Sequence, residues 1–197
     1  MITHPLTLSG RVVTLEPLET PLLPELEALT QDERIWEFYS ENYAKRENFV
    51  ELYEKSFNGR EAGTHYAFAV RLNETGKLIG STQYFDISTK HRNLEIGYTW
   101  YLPEYWGTAV NLESKQLLLT YAFETLRMVR VQIKTGDTNK RSQKAIAKIG
   151  GRFEGVLRKA KVMENGQYRN TVYFSIIDEE WPAVKLHLKK LLEEKMD

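Results

Sequence analysis

The stretch that decides the fold is WGTAVNLESKQLLLTYAF, residues 106–123. It comes directly after NLEIGYTWYL (93–102), an apolar and aromatic-rich run that is typical of a β-strand. Apolar residues then recur at three- and four-residue spacings, which predicts an amphipathic helix from about Val110 to Leu126. A helix that begins immediately after a strand presents unpaired main-chain N–H groups and the positive end of its dipole, so its front suits a phosphate group.

The front of this predicted helix carries little side-chain bulk, because Gly107, Thr108, Ala109 and Asn111 are small or short. Bulky side chains there would hold an anion away from the main-chain amides. A purely structural helix start, capped by Thr108 or Asn111, explains the same residues. The segment matches neither the P-loop nor the dinucleotide-binding glycine pattern, and the chain contains no zinc-protease or serine-hydrolase motif.

Further strands and helices are predicted on both sides of this segment from alternation, helical periodicity and turn residues. The predicted strands are 10–18, 65–72, 77–87, 93–102, 129–135, 153–163 and 168–177, and the predicted helices are two or three within 22–58, one at 110–126, one at 137–151 and one after Asp178. Asn165 and Gly166, between the last two strands, suit a type I′ hairpin turn. This order predicts an α/β fold with a mixed sheet covered by helices on both faces.

The composition excludes several classes of protein. A chain of 197 residues with 42% hydrophobic composition suits one domain spanning 1–197, with a core large enough to need no disulfides. The absence of cysteine excludes a thiolate nucleophile and a cysteine-based metal site, and the four scattered histidines do not indicate a metal site. No window approaches the roughly 18 apolar residues of a membrane span, so we expect a cytoplasmic protein without a membrane partner.

Charge is unevenly distributed along the chain. The net charge is +0, but residues 16–61 hold twelve acidic and five basic side chains, whereas residues 134–161 hold nine basic and two acidic ones. Two solvated faces of opposite sign explain this asymmetry, and so do an anionic ligand at the basic segment and a cationic one near the acidic segment. A nucleic-acid-binding module is not favoured, since Phe153 is the one aromatic residue among the basic ones.

The run LEIGYTWYLPEYWGTAVNLESKQLLLTYAFETLRMVRVQIKTGDTNKRSQKAIAKIGGRFEGVLRK (94–159) resembles the acyl-CoA-binding core of the GCN5-related N-acetyltransferases. It is most similar to the branch of ribosomal-protein N-terminal acetyltransferases (RimJ/RimL-like). The resemblance implies a mixed, mostly antiparallel sheet of about seven strands, whose two central parallel strands splay apart and admit the pantetheine arm of acetyl-CoA. In this sequence those strands are EIGYTWYL (95–102) and VRVQIKT (129–135).

The same resemblance implies where acetyl-CoA binds. The family's pyrophosphate loop, R/Q-x-x-G-x-G/A, falls on residues 106–111, so main-chain amides there are expected to hold the pyrophosphate. The implied coenzyme-binding residues are Thr99, Trp100, Tyr101, Trp106, Gly107, Thr108, Ala109, Val110, Asn111, Asn139, Ser142 and Lys144. Two departures stand out: Ala109 replaces the second glycine of the pattern, and the strand before the loop is one residue longer than in most relatives, which predicts a β-bulge. Asn139 also suits a simple helix cap.

The implied reaction is transfer of the acetyl group of acetyl-CoA to a primary amine, with the N-terminal α-amine of a protein or peptide as the first choice of acceptor. An aminoglycoside or polyamine is the alternative, and a non-catalytic acyl-CoA-binding protein is a third reading. The acidic excess of residues 16–61 favours a cationic amine acceptor. No metal is expected, and a homodimer is left open.

The catalytic roles follow from the same resemblance. Glu95 is the candidate base that takes a proton from the amine, although a strand-edge ion pair is an alternative role for it. A main-chain N–H between Thr99 and Tyr101 is expected to stabilise the charge on the thioester carbonyl. The tyrosine that many relatives use as general acid is replaced by Ile146. Ser142 or water is the substitute, with Tyr98 and Tyr101 as weaker options.

Overall fold

The computed structural model describes residues 2–196, in which eight strands form one sheet. The strands are β1 (Leu8–Ser9), β2 (Val13–Pro17), β3 (Tyr66–Leu72), β4 (Leu78–Ser88), β5 (Asn93–Tyr101), β6 (Arg130–Gly136), β7 (Arg152–Val162) and β8 (Tyr168–Ile177). The α-helices are α1 (Leu23–Ala28), α2 (Arg46–Glu61), α3 (Ala109–Thr120), α4 (Lys140–Lys148) and α5 (Trp181–Met196).

The strands lie in the order β1-β2-β3-β4-β5-β6-β8-β7, and β5 and β6 are the one parallel pair among neighbours in the described chain. The prediction of a mixed, mostly antiparallel sheet with a central parallel pair is therefore confirmed. The sheet has eight strands rather than about seven, because the two-residue β1 pairs with β2.

Helices pack on both faces of the sheet, and each face has its own apolar core. On one face α3 and α5 bury Leu118, Leu119 and Leu188 completely. On the other face the N-terminal segment and α2 bury Trp36 and Phe49 in a cluster that includes Trp100 of β5. Strand β5 thus lies between the two cores, with its side chains distributed to both.

The two central strands separate after a short paired stretch. β5 and β6 pair at Asn93–Arg130, Leu94–Val131 and Glu95–Gln132, and no further pair joins them in the described chain. Both strands nevertheless continue, β5 to Tyr101 and β6 to Gly136. We call this opening the fork. The predicted splay is confirmed.

A β-bulge in β5 accompanies the fork. Its register against β4 shifts between the pairs Ser81–Trp100 and Gln83–Gly97, so β5 carries one extra residue there. Tyr98 lies in this interval with φ of 46°, in the left-handed region that a non-glycine residue rarely occupies. A bulge bends its strand and increases the local twist, which turns β5 away from β6. The bulge predicted from the length of this strand is confirmed.

The helix predicted from about Val110 to Leu126 is present, as α3 up to Thr120 followed by a wider π-helical turn over Tyr121–Thr125. One local prediction is wrong. The β7–β8 turn is not type I′, which requires positive φ at both central residues, since Gly166 (φ 78°) has one and Asn165 does not. The Gly166 N–H instead donates to the Met163 carbonyl at 2.8 Å, the pattern of a type I turn followed by a glycine bulge.

Neither a membrane span nor a metal cluster is found in residues 2–196. Every helix in this range is too short or too polar to cross a bilayer. No three His, Cys, Asp or Glu side chains in this range converge on a position where they would hold a metal ion.

Candidate active site

The fork opens into a cavity of about 310 Å³. Its walls come from β5 and β6, the front of α3, α4, the N-terminal segment around Tyr39 and the β7–β8 hairpin. The fork cavity therefore collects residues from distant parts of the sequence at the point where the sheet has no main-chain pairing.

The front of α3 has free main-chain donors. Thr108 caps the helix, because its Oγ1 accepts from the Val110 N–H at 3.3 Å, and the Thr108 N–H donates weakly to Tyr105 O at 3.4 Å. The main-chain N–H groups of Gly107, Ala109 and Asn111 have no acceptor in the described chain. These three donors and the helix dipole suit a phosphate group.

Gly107 and Ala109 show why small residues occur here. Gly107 has φ of 75°, and a Cβ built on it would meet no atom within 4 Å, so the space above the loop is open. Ala109 is the first residue of α3 and has no positive φ, so its methyl group is compatible with the backbone conformation. The replacement of the family's second glycine is therefore sterically acceptable.

Helix α4 approaches the front of α3 from the other side of the cavity. The Arg141 guanidinium lies 3.7 Å from the centre of the Trp106 ring, a cation–π contact between the two elements. Asn139 caps α4, because its Oδ1 accepts from the Ser142 N–H at 2.9 Å. The capping role weighed from the sequence is thus present, while the Asn139 side-chain nitrogen has no acceptor in the described chain.

Glu95 lies at the inner end of the fork, in the last pair that joins β5 and β6. The residue is 2% exposed, and its Oε2 accepts from Gln132 Nε2 at 2.7 Å and pairs with Lys134 Nζ at 2.8 Å. Burial raises the pKa of Glu95, and the attraction of Lys134 opposes part of that rise. The ion pair weighed as an alternative role is present, and the carboxyl group also lines the cavity.

A second charged group inside the cavity was not predicted. Lys115 is 5% exposed, and its Nζ donates to Thr99 Oγ1 at 2.8 Å, directly beneath the bulge. The sequence could have indicated this position, because Lys115 lies four residues after Asn111 and both side chains are therefore on one face of α3. Arg141 also lines the cavity and is missing from the predicted binding set, in which its neighbour Lys144 was included.

The structure brings most of the predicted site residues together. Those that line the fork cavity are Glu95, Thr99, Trp100, Tyr101, Trp106, Gly107, Asn111, Asn139 and Ser142. Thr108, Ala109, Val110 and Lys144 do not line it. Val110 is 1% exposed and packs in the core, so its side chain is not available to a ligand, and Lys144 projects from the exposed face of α4. Ile146, at the family's tyrosine position, lines the cavity without a polar atom on its side chain.

The predicted acidic wall does not face the cavity. Ile35, Phe38, Tyr39, Ser40 and Tyr43 are the lining residues from the acidic segment 16–61. Several acids of that segment are instead held in ion pairs with arginine, namely Glu16–Arg71, Glu19–Arg60, Glu27–Arg46 and Asp32–Arg34. Within the described chain, the acidic excess therefore acts at the surface and not on the walls of the cavity.

A family model described as an acetyltransferase (GNAT) domain matches residues 13–152. The chain belongs to the GCN5-related N-acetyltransferase family. Members of this family are acetyl-CoA-dependent N-acetyltransferases, and acetyl-CoA is the co-substrate of this enzyme. The mixed sheet with its one parallel pair agrees with the fold of that family.

Individual relatives agree with this assignment. The chain is 31% identical over 180 residues to the "Putative ribosomal N-acetyltransferase YdaF" of Bacillus subtilis (strain 168), covering 87% of this chain and 92% of that protein. A GCN5-related N-acetyltransferase from Brucella melitensis superposes with a TM-score of 0.85 at 28% identity, covering 96% and 86% of the two chains. Mycobacterium smegmatis RimJ in complex with CoA-disulfide shares the fold, with a TM-score of 0.81 at 19% identity and 95% coverage of both chains.

The residues present fit a CoA molecule. The unpaired donors of Gly107, Ala109 and Asn111 suit its diphosphate, and the unpaired edges of β5 and β6 suit the amide groups of its pantetheine arm.

Proposed function

We propose that this N-acetyltransferase acetylates primary amines, with the N-terminal α-amine of a protein or peptide as its preferred acceptor. The observation that carries the proposal is the position of Glu95, a buried carboxyl group at the inner end of the fork and on the wall of its cavity. The likeness to a protein named as a ribosomal N-acetyltransferase supports the choice of a protein N-terminus.

The chemistry of the acceptor supports the same choice. An amine attacks as the free base, and an α-amino group has a pKa of roughly 7.7–8.0 whereas lysine lies near 10.4. A single carboxylate of raised pKa is therefore sufficient help for an α-amine near neutral pH. An exposed polyamine or lysine side chain demands a stronger base or a more extensive change in its environment.

Several of the predicted residues take a role in this proposal. The main-chain donors at the front of α3 hold the diphosphate of acetyl-CoA, and Asn139 and Ser142 lie beside its pantetheine arm. When bound, acetyl-CoA supplies an activated acetyl group. Glu95 receives the amine proton on a carboxylate oxygen, and a main-chain N–H in the bulge between Thr99 and Tyr101 orients the carbonyl oxygen.

The test is an acceptor panel assayed by release of the CoA thiol and by the mass of the product. Peptides with varied N-terminal residues, the same peptides with a blocked N-terminus, spermidine and an aminoglycoside are compared at equal concentration. Acetylation of the free-N-terminus peptides and not of their blocked partners supports the proposal. Turnover on spermidine or the aminoglycoside alone assigns the enzyme to small amines, and tight acetyl-CoA binding without any turnover points to a non-catalytic protein.

A further inference from the structure

Lys115 is a buried cation without a carboxylate partner in the described part of the chain. Within residues 2–196 its one hydrogen bond goes to Thr99 Oγ1, and it takes part in no salt bridge there. An ammonium group has three N–H donors, so two are left for a group inside the cavity that it lines.

A lysine in this setting is costly to the fold. Transferring a charge out of water without a counter-ion is strongly unfavourable, and an apolar residue of similar length would avoid that cost. Burial accordingly lowers the pKa of Lys115 to about 7. A residue that weakens the fold at a wall of the active-site cavity is a candidate for a functional group.

The direction of α3 connects this residue to the coenzyme. Gly107, Asn111 and Lys115 line the same cavity, at the front of the helix and then one and two turns further along it. Lys115 ends beneath the bulge at Thr99, the part of β5 that the proposed function assigns to the thioester. The diphosphate site and Lys115 thus lie at opposite ends of one helix face.

We propose that the Lys115 ammonium is the general acid of this enzyme and protonates the sulfur of CoA as it leaves. This inference rests on the proposed function, because it concerns the same acetyl transfer. It assigns the role for which the family's tyrosine is missing at Ile146.

The step balances as follows. The amine nitrogen forms a bond to the acetyl carbon, and the carbon–sulfur bond breaks with its electron pair remaining on sulfur. Glu95 receives the proton that the amine loses, and Lys115 gives a proton to the sulfur. The products are the acetylated amine and CoA thiol, and exchange with water restores the carboxylate of Glu95 and the ammonium of Lys115.

The other polar groups of the cavity are poorer donors. Burial raises the pKa values of Tyr39 and Tyr101 well above that of an ordinary tyrosine, and a serine hydroxyl such as that of Ser142 is a still weaker acid. The titratable and charged side chains that line this cavity together with Lys115 are Tyr39, Tyr43, Glu95, Tyr98, Tyr101, Tyr105, Lys134, Arg141, Lys161 and Arg169.

The decisive experiment measures the acidity of the bound thiol and requires no turnover. CoA is titrated from pH 5 to 10 in complex with the wild-type enzyme and with Lys115→Met, and the thiolate is followed by its ultraviolet absorbance. A thiolate beside Lys115 raises the pKa of the lysine again and keeps it protonated, and the resulting ion pair lowers the thiol pKa in the wild-type complex relative to free CoA. Lys115→Met abolishes this shift. Equal thiol pKa values in the two complexes overturn the proposal.

Rate and stability measurements give a second readout. Lys115→Met should lower kcat by about 100-fold, leave KM for acetyl-CoA within a few-fold, and raise the melting temperature because a buried unpaired charge is removed. Lys190→Met, on the exposed surface of α5, is the matched control and should change neither quantity. A Lys115→Met enzyme that keeps wild-type kcat contradicts the proposal.

The pH dependence of stability tests whether the pKa of Lys115 is lowered in the folded chain. The unfolded chain keeps this proton up to about pH 10.4, whereas the folded chain releases it near pH 7. Wild-type stability should therefore rise between those pH values, and Lys115→Met should lack that rise. If wild-type enzyme acetylates no amine in the panel, the proposed function fails separately, and the thiol titration still tests the contact between Lys115 and sulfur.

Discussion

Two opposing effects determine the protonation of Glu95. Its burial favours the neutral carboxylic acid, and the Lys134 ammonium at 2.8 Å favours the carboxylate, with burial the larger effect. The base form of Glu95 therefore appears at a higher pH than that of an exposed glutamate. Because the pKa is raised in the folded state, activity should increase as pH rises through it, and it should fall at acid pH before an ordinary carboxylate is protonated.

Replacement of this carboxyl group tests its role as base. Glu95→Gln should lower kcat by about 100-fold and remove the acid limb from the pH–rate profile. Binding of CoA, measured as a shift of the melting temperature, should be retained because the front of α3 is unchanged. Glu54→Gln, an exposed glutamate on α2, serves as the control. A Glu95→Gln enzyme with the wild-type profile would mean that another group or bulk water takes the amine proton.

Glu113 is a buried carboxylate whose function is structural. From α3 it accepts the main-chain N–H groups of Arg11, Val12 and Val13 at 2.7–2.8 Å, and so attaches the entry of β2 to the helix. A Cβ on Gly10 would lie 2.3 Å from its Cδ, which explains the glycine at that position. Glu113, with Gly10 leaving room for its carboxylate, therefore attaches the N-terminal strands to α3.

Removal of this carboxylate should weaken the fold without altering the chemistry. Glu113→Ala leaves three N–H donors without an acceptor, one of them buried and two part-buried, and a buried one costs about 1–3 kcal/mol. We expect the free energy of unfolding, measured by urea denaturation, to fall by about 3 kcal/mol or more, with activity per folded molecule preserved. Glu51→Ala on the exposed side of α2 should cost little by comparison. An equal loss in both variants would remove Glu113 from this role.

At the scale of elements, the loop before α3 combines a left-handed glycine with free amide donors. Gly107→Glu should abolish the thermal stabilisation by CoA, because a carboxylate at this place repels a diphosphate and covers its donors. Gly76→Glu is a matched control, since Gly76 also has positive φ (69°) and open space where a Cβ would lie, but it belongs to the β3–β4 turn. Both variants suffer the same backbone strain. Retention of the CoA shift in Gly107→Glu would place the diphosphate elsewhere.

The β7–β8 hairpin contacts the N-terminal segment through Glu164 and through Arg169, whose Nη1 donates to the Phe38 carbonyl at 3.1 Å. Glu164 at its tip accepts from the Asn42 N–H (2.9 Å), Asn48 Nδ2 (2.7 Å) and Lys45 Nζ (2.6 Å). These contacts join the hairpin to the N-terminal segment, and both contribute walls of the cavity. We expect the hairpin tip to limit the entry of an acceptor.

Loosening this contact should affect the acceptor more than the coenzyme. In Glu164→Ala we expect a several-fold higher KM for the peptide, an unchanged KM for acetyl-CoA, and faster amide hydrogen exchange in residues 40–48. Global stability should change little, because the contacts are largely solvent-exposed. Glu193→Ala on α5 is the control. Equal changes in both KM values would argue against a role at the acceptor entrance.

Elements with strong local signals were predictable from the sequence, and their long-range contacts were not. Alternation located the strands, and small residues at 107–111 indicated the open front of α3. Lys115 was missed because lysine on an amphipathic helix normally faces water, and only tertiary packing places it beneath the bulge. The acidic segment was assigned to the cavity because arginines distant in sequence, such as Arg71 for Glu16, could not be matched to their partners in advance.

At the scale of the whole molecule, the fork divides the sheet into two parts. Strands β1 to β5 form one part and β6 to β8 the other, and in residues 2–196 main-chain pairing between them is confined to the three pairs at the base of the fork. The candidate active-site residues are distributed over both parts, with Glu95 and Lys115 on the first and Arg141 and Ser142 on the second. Correct assembly of the site thus depends on the relative position of the two parts.

The narrow base of the fork should make the lifetime of the protein in the cell depend on the concentration of acetyl-CoA. A coenzyme molecule that binds between the two parts stabilises the folded form. It lowers the fraction of opened chains by a factor that grows with its concentration. Cellular proteases degrade opened chains. The enzyme should therefore persist in cells rich in acetyl-CoA and be degraded more rapidly under carbon starvation, so that its abundance follows the concentration of its co-substrate.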